Sequence, residues 1–316
     1  LGRLLLPTPL IKALSTTTVD EKDAADAADV LEAALAWPRL ETSDEKALLN
    51  PILEEYNLNA TAFLQFLDIT TGGPAHFLET QLLHLPQVTT SSMAYGTAVH
   101  RALQTAQQLT NTGKFKFASV LQSYEQALSE QQLPVAETER YRIHGEQVLA
   151  NLFKLKTFHL EKGAKPEVAI REARLGNARL GGKLDRIDIS KDGIIIITDY
   201  KTGIPLASFD SRDQTKAIKS WRHRNQLLFY TLLVRQSSRY GHPKTIRGQM
   251  MYVEAEDPQN LVLGYEPEQE SLDRIQSLVA AVWKHIMHLD FPDTSHYPKT
   301  IAGIEAFEAD LLKGTV

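Results

Sequence analysis

Along this chain the apolar positions recur first at helical spacing and then at strand spacing. Between residues 20 and 36, good helix formers with apolar Val30, Leu31, Ala34 and Leu35 run up to Pro38, predicting an acidic surface helix. Asn59 stands as a cap before Ala60-Thr61-Ala62-Phe63-Leu64-Gln65-Phe66-Leu67, and Gly72-Gly73-Pro74 is a stop. Further helices are predicted over 75–83, from Ser91 or Ser92 to about 109, over 115–131 and over 134–159. The period then falls to two. Residues 166–173, 178–190 and 194–200 alternate or run apolar, and the isoleucines at 194–197 predict a central strand covered on both faces. A helix over 222–236, strands over 246–255 and 261–265, and a helix over 272–289 complete the pattern. This order is α/β, a mixed central sheet flanked by helices with a helical N-terminal part.

Composition narrows the chemistry. The chain has 316 residues, is 43% hydrophobic and has no cysteine, so any metal must be held by oxygen and imidazole rather than thiolate. Disulfides, iron–sulfur clusters and cysteine nucleophiles drop out together. No apolar run reaches the roughly 20 residues needed to cross a bilayer, and the expectation is a soluble, cytoplasmic protein without a membrane partner. A start at Leu1 rather than Met is expected of a piece excised from a longer polypeptide. The net charge of −5 is unevenly spread: acids crowd residues 16–55, whereas Arg212, Lys216, Lys219, Arg222, His223 and Arg224 cluster with only Asp213 opposing them.

The richest segment is Gly181 to Gly203, GGKLDRIDISKDGIIIITDYKTG. Lys191-Asp192-Gly193 is a three-residue hairpin connection whose glycine takes the left-handed conformation. Pairing Ser190 with Ile194 then sets Asp185 opposite Asp199, and Lys201 shares their face because side chains two apart point the same way. Two carboxylates facing each other repel unless a cation lies between them. Asp188 falls on the opposite face and is expected not to be a ligand. A solvated hairpin acid paired with Arg186 or Lys183 is the ordinary reading of Asp185 alone, and a cross-strand ion pair that of Asp199 and Lys201. Gly96 and His100 share a helix face, where the missing side chain at Gly96 lets another element approach the imidazole. A core histidine satisfied by a carbonyl is the alternative. Gln226 and Tyr230 also share one face, as a polar edge of a core helix or as residues facing a substrate.

Taken in order, Gly-x-x-x-His, Gly-x-Leu-Asp, Asp-Tyr-Lys-Thr-Gly and Gln-x-x-x-Tyr resemble the RecB-like branch of the PD-(D/E)XK nucleases, as found at the C-termini of UvrD-like helicase–nucleases. Leu58-Asn59-Ala60-Thr61-Ala62-Phe63-Leu64 resembles the helical entry of that domain. The resemblance covers residues 58–290, with a helical part at 58–160 and a sheet core at 165–290. It leaves 1–57 as an acidic, mostly helical extension and 291–316 as a C-terminal tail. It implies a restriction-endonuclease-like fold in which His100, Asp185, Asp199 and the carbonyl of Tyr200 bind Mg²⁺ or Mn²⁺. Lys201 would then activate the attacking water, and Gln226 and Tyr230 would line the site, with Glu167 a further candidate on the preceding strand. It also implies DNA as substrate, endo- or exonuclease action in repair or recombination with exonuclease the expectation, a UvrD-like motor in the same polypeptide or complex, and a place at the bacterial nucleoid. The basic run after the metal strand is expected to meet backbone phosphates. Some relatives clamp an iron–sulfur cluster with four cysteines, which this chain cannot do. A nuclease-fold module that binds DNA or assembles a complex without cleaving is the alternative, and a carboxylate-rich structural domain a third.

Overall fold

The computed structural model describes residues 42–241, 243 and 245–316, so the helix predicted over 20–36 lies outside the described residues. Five strands form one sheet in the order β1 (Lys165–Leu175), β2 (Ala178–Ile189), β3 (Ile195–Lys201), β4 (Ile246–Tyr252) and β5 (Val262–Tyr265). Neighbours are antiparallel except β3 and β4, which are parallel, so the sheet is mixed. The β2–β3 connection has the geometry its sequence demands. Ser190 N–H donates to the Ile194 carbonyl at 2.9 Å, and Gly193 sits at φ +76°, where a side chain would be strained.

Helices cover both faces of the sheet. After α1 (Thr42–Glu55), α2 (Ala60–Leu67) and the short α3 (Gly73–Phe77) come α4 (Ser91–Thr112), α5 (Phe117–Ser129) and α6 (Val135–Lys154). Tyr95, Val99 and Leu103 of α4 pack with Tyr124, Leu149, Tyr200 and Met251 on one side of the sheet. On the other side, Leu227 of α7 (Gln214–Gln236) packs against Met250 and Tyr252. The switch of face between Met250 and Met251 is the strand period at work. Because α7 lies between the sheet and other helices, residues 227–234 are buried all the way around it. Phe63 of α2 meets Phe229 of α7 with ring centroids 5.5 Å apart. Each such fully buried ring contributes roughly 1.5–3 kcal/mol of apolar burial.

Several ends differ from the sequence reading for local reasons. Asn59 does cap α2, accepting the Ala62 N–H at 2.9 Å, but α2 ends at Leu67, where Asp68 opens a tight turn before the glycine pair. Thr90, one residue before the expected serines, caps α4 by accepting the Met93 N–H at 3.2 Å, and Gly113 closes it at φ +69°. Helix α7 begins two turns early at Asp213, whose carboxylate accepts the Lys216 N–H at 2.8 Å. After α8 (Gln269–His288), residues 291–316 are more than a tail. They carry α9 (Ile301–Lys313), with Ile304, Phe307 and Leu311 buried, and the compact unit beginning at Pro51 runs to Val316. Glu308 of α9 is fully buried and accepts from Trp221 Nε1 at 3.0 Å and from Arg274 Nη2 at 2.5 Å, pinning α9 to α7 and α8. No described helix is long and apolar enough to cross a membrane.

Candidate metal centre and active site

Three carboxylates line up across adjacent strands. The β1–β2 pairs Pro166 with Arg186 and Val168 with Leu184 leave Glu167 facing Asp185, and the β2–β3 pair Arg186 with Thr198 leaves Asp185 facing Asp199 one step on. The β2–β3 ladder opens at that step. Asp185 Oδ2 replaces a backbone acceptor there and takes the Tyr200 N–H at 2.8 Å. Its other oxygen lies 3.2 Å from His100 Nδ1, on α4. Glu167 adopts φ +52°, a left-handed conformation that costs a residue with a Cβ about 1–3 kcal/mol. Ligand atoms of His100, Glu167 and Asp185 all lie within 4.8 Å of one another.

Asp199 turns toward a second, linked group. Its Oδ1 accepts from Gln226 Nε2 at 2.9 Å, and its Oδ2 lies 2.8 Å from Lys201 Nζ. Lys201 Nζ donates to Gln226 Oε1 at 2.9 Å, and Gln226 Nε2 reaches Tyr230 Oη at the same distance. Gln226 thus uses both ends of its amide to hold the acid and the lysine at once. Burial raises the pKa of Asp199, the Lys201 charge opposes that rise, and Asp185 adds to it. Burial pulls His100 down, yet the hydrogen bond and charges of Asp185, with Asp199, more than offset it, so the imidazole stands above its usual value. Tyr230, buried and facing both aspartates, is held far above the usual phenol range and keeps its proton.

The donor set fits a hard divalent cation. It is oxygen and imidazole without sulfur, three donors converge, and the buried Asp199 Oδ2 has a nearby ammonium but no well-aligned hydrogen bond. The structure therefore brings together His100, Asp185, Asp199, Lys201, Gln226 and Tyr230, and it adds Glu167 to the inner group, with Asp199 beside that group across the ladder from Asp185. Tyr200 takes part through its N–H, and its hydroxyl accepts from Arg186 on the opposite face at 3.3 Å. Asp188 also lies on that opposite face, 2.8 Å from Arg186 Nε. At Gly96 an added Cβ would stand 3.2 Å from Thr202 Oγ1, so the bare glycine does admit the β3 exit beside His100.

Lys183, which the sequence offered only as an ordinary ion-pair partner of Asp185, has a different partner. It shares a strand face with Asp185 but pairs with Glu167, not with Asp185. Its spacing two before Asp185 was the available signal. Part of the basic run has partners within the chain. Arg222 Nε pairs with the buried Asp68 at 2.5 Å, and Lys219 Nζ donates to the Ile204 carbonyl at 2.5 Å. His223 is buried against the Tyr252 hydroxyl at 3.0 Å, and burial with the nearby Lys201, Lys219 and Arg222 charges lowers its pKa to about 3.

A family model for the PD-(D/E)XK nuclease superfamily matches residues 70–298. The chain belongs to that superfamily. The mixed sheet flanked by helices, with a helical N-terminal part, is consistent with its fold. Among solved structures, "Crystal structure of SSO0001" is similar over 69% of this chain and 87% of its own, at 19% identity and a TM-score of 0.25. No match is found among curated proteins. Superfamily members are generally metal-dependent nucleases, and the paired acids and Lys201 of this chain stand in the strand positions described above.

Proposed function

We propose that the chain is a divalent-metal-dependent deoxyribonuclease, acting from DNA ends as the nuclease part of a UvrD-like helicase–nuclease in repair or recombination. The observation that carries this reading is the row of Glu167, Asp185 and Asp199 across three strands with Lys201 at its end. In this reading His100, Glu167 and Asp185 hold Mg²⁺ or Mn²⁺, with Asp199 and the Tyr200 carbonyl completing the set. The bound cation supplies charge stabilisation at the scissile phosphate and a coordinated water. Lys201 is held between Asp199 and Gln226, so its ammonium is placed to orient that water and offset charge growing on the phosphate oxygens. Tyr230 Oη accepts from the same Gln226 Nε2 that holds Asp199, which keeps the amide turned with its oxygen toward Lys201. Asp185 holds His100 in place and, through the Tyr200 N–H, locks the β3 end on which Lys201 stands.

The test is cleavage by the purified chain of end-labelled linear DNA with Mg²⁺, with Mn²⁺ and with EDTA. Degradation from the ends with either metal, no degradation in EDTA, and survival of covalently closed circles are expected. DNA binding without cleavage under every divalent metal would replace the nuclease with a silent binding module.

A further inference from the structure

Two open cavities meet at Lys183. The larger, about 800 Å³, runs along α4 past Ser92, Thr97, His100 and Arg101 to Glu167 and Asp185. The other, about 660 Å³, runs from the α2 entry at Asn57, Asn59 and Thr61 past Arg171, Gly181 and Gly182 to Tyr230. Lys183 lines both. Its side chain is 63% exposed, and its ammonium sits on Glu167, beside the metal group. Arg101 at one end and Arg171 at the other are exposed and form no ion pair among the described residues.

We infer that the backbone of the cleaved strand runs through both cavities across the carboxylate row, gripped by Arg101, Lys183 and Arg171. This rests on the nuclease reading. Among the described residues, the acids lining these cavities are Glu167 and Asp185 of the metal group, so a phosphate entering there depends on these three cations and the bound metal. Around the cations stand small hydroxyl and amide side chains and the bare backbone of Gly181 and Gly182, partners suited to phosphate and sugar and indifferent to base identity. Lys219, Arg222 and His223 of α7 hold a carbonyl, an acid and a buried tyrosine, whereas Lys183, although paired with Glu167, stays mostly exposed and lines both cavities.

The experiment measures the affinity of a fluorescein-labelled oligonucleotide in Ca²⁺ as NaCl is raised. For the combined variant Arg101→Gln, Lys183→Gln, Arg171→Gln, the slope of log Kd against log salt is expected to fall by about 2–3, near 0.7–0.9 per lost phosphate contact. The matched variant Arg212→Gln, Lys216→Gln, altering exposed residues around the start of α7, is expected to leave the slope unchanged. All five positions are exposed, so melting temperatures should agree with the unaltered chain. An unchanged slope in the first variant, or an equal loss in the second, overturns the strand path while cleavage by the unaltered chain still stands. An unaltered chain that binds no DNA at any salt overturns the nuclease reading and the path with it.

Discussion

Replacing Lys201 with methionine is expected to slow DNA cleavage by about 10²–10³-fold, the usual loss when one preorganised charge aimed at a reacting oxygen is removed. Methionine keeps most of the aliphatic stem and deletes the ammonium. Lys201 Nζ has two partners in the structure, Asp199 Oδ2 at 2.8 Å and Gln226 Oε1 at 2.9 Å, so the ammonium is held in place before any substrate arrives. Its loss leaves the Asp199 carboxylate buried without a counter-charge, a situation that often costs several kcal/mol. Burial raises the Asp199 pKa and the Lys201 charge opposes that rise, so removing Lys201 makes the acid easier to protonate and lessens that cost. The variant should therefore fold, with nearly unchanged oligonucleotide affinity in Ca²⁺ and a collapsed single-turnover rate in Mg²⁺. Lys201→Arg should not restore the rate, because a planar fork does not fit the point position between Asp199 and Gln226. A single-turnover rate within tenfold of the unaltered chain would remove Lys201 from the chemistry.

The second large effect is on the metal. Asp185→Asn keeps an oxygen to accept the Tyr200 N–H but removes the charge that His100 and the cation share. Loss of a residue that merely supports a ligand lowers metal affinity about 10–100-fold, so loss of this ligand charge should weaken Mn²⁺ binding by at least about 100-fold, with cleavage falling in step. Titration calorimetry with Mn²⁺ measures the first and a plasmid-linear assay the second. His100 reports the same change without metal. Its pKa stands above the usual imidazole value because Asp185, with Asp199, outweighs burial, and in the variant burial prevails, so the imidazole titrates at lower pH. Unchanged Mn²⁺ affinity in Asp185→Asn would place the cation elsewhere.

Where one short segment fixes geometry, the site could be read from sequence. A turn ending in Gly193 sets the β2–β3 register, and the register sets Asp185 against Asp199. Spacing on one helix likewise paired Gln226 with Tyr230, although not the double hydrogen bond by which Gln226 joins Asp199 to Lys201. Glu167 was harder to rank because its position depends on the β1–β2 register and on a left-handed backbone that no glycine announces. Lys183 was read only as an ordinary partner for Asp185, because its actual partner Glu167 lies on another strand. Charge in sequence does not say which cations of the basic run the fold pairs, and Asp68, 154 residues before Arg222, was invisible as its partner. Helix α9 was legible after all. Thr300 as a cap, with Ile301, Ile304, Phe307 and Leu311 at helical spacing, is an amphipathic signature.

The most direct measurement is anomalous diffraction from crystals of the chain grown with Mn²⁺. A manganese peak at about 2.0–2.3 Å from a carboxylate oxygen of Asp185, with His100, Glu167 or Asp199 also in its coordination shell, is the expected result. A peak with none of these residues as ligand, or saturating Mn²⁺ that leaves the carboxylate row empty, would contradict the assignment of this row as a metal-dependent nuclease centre.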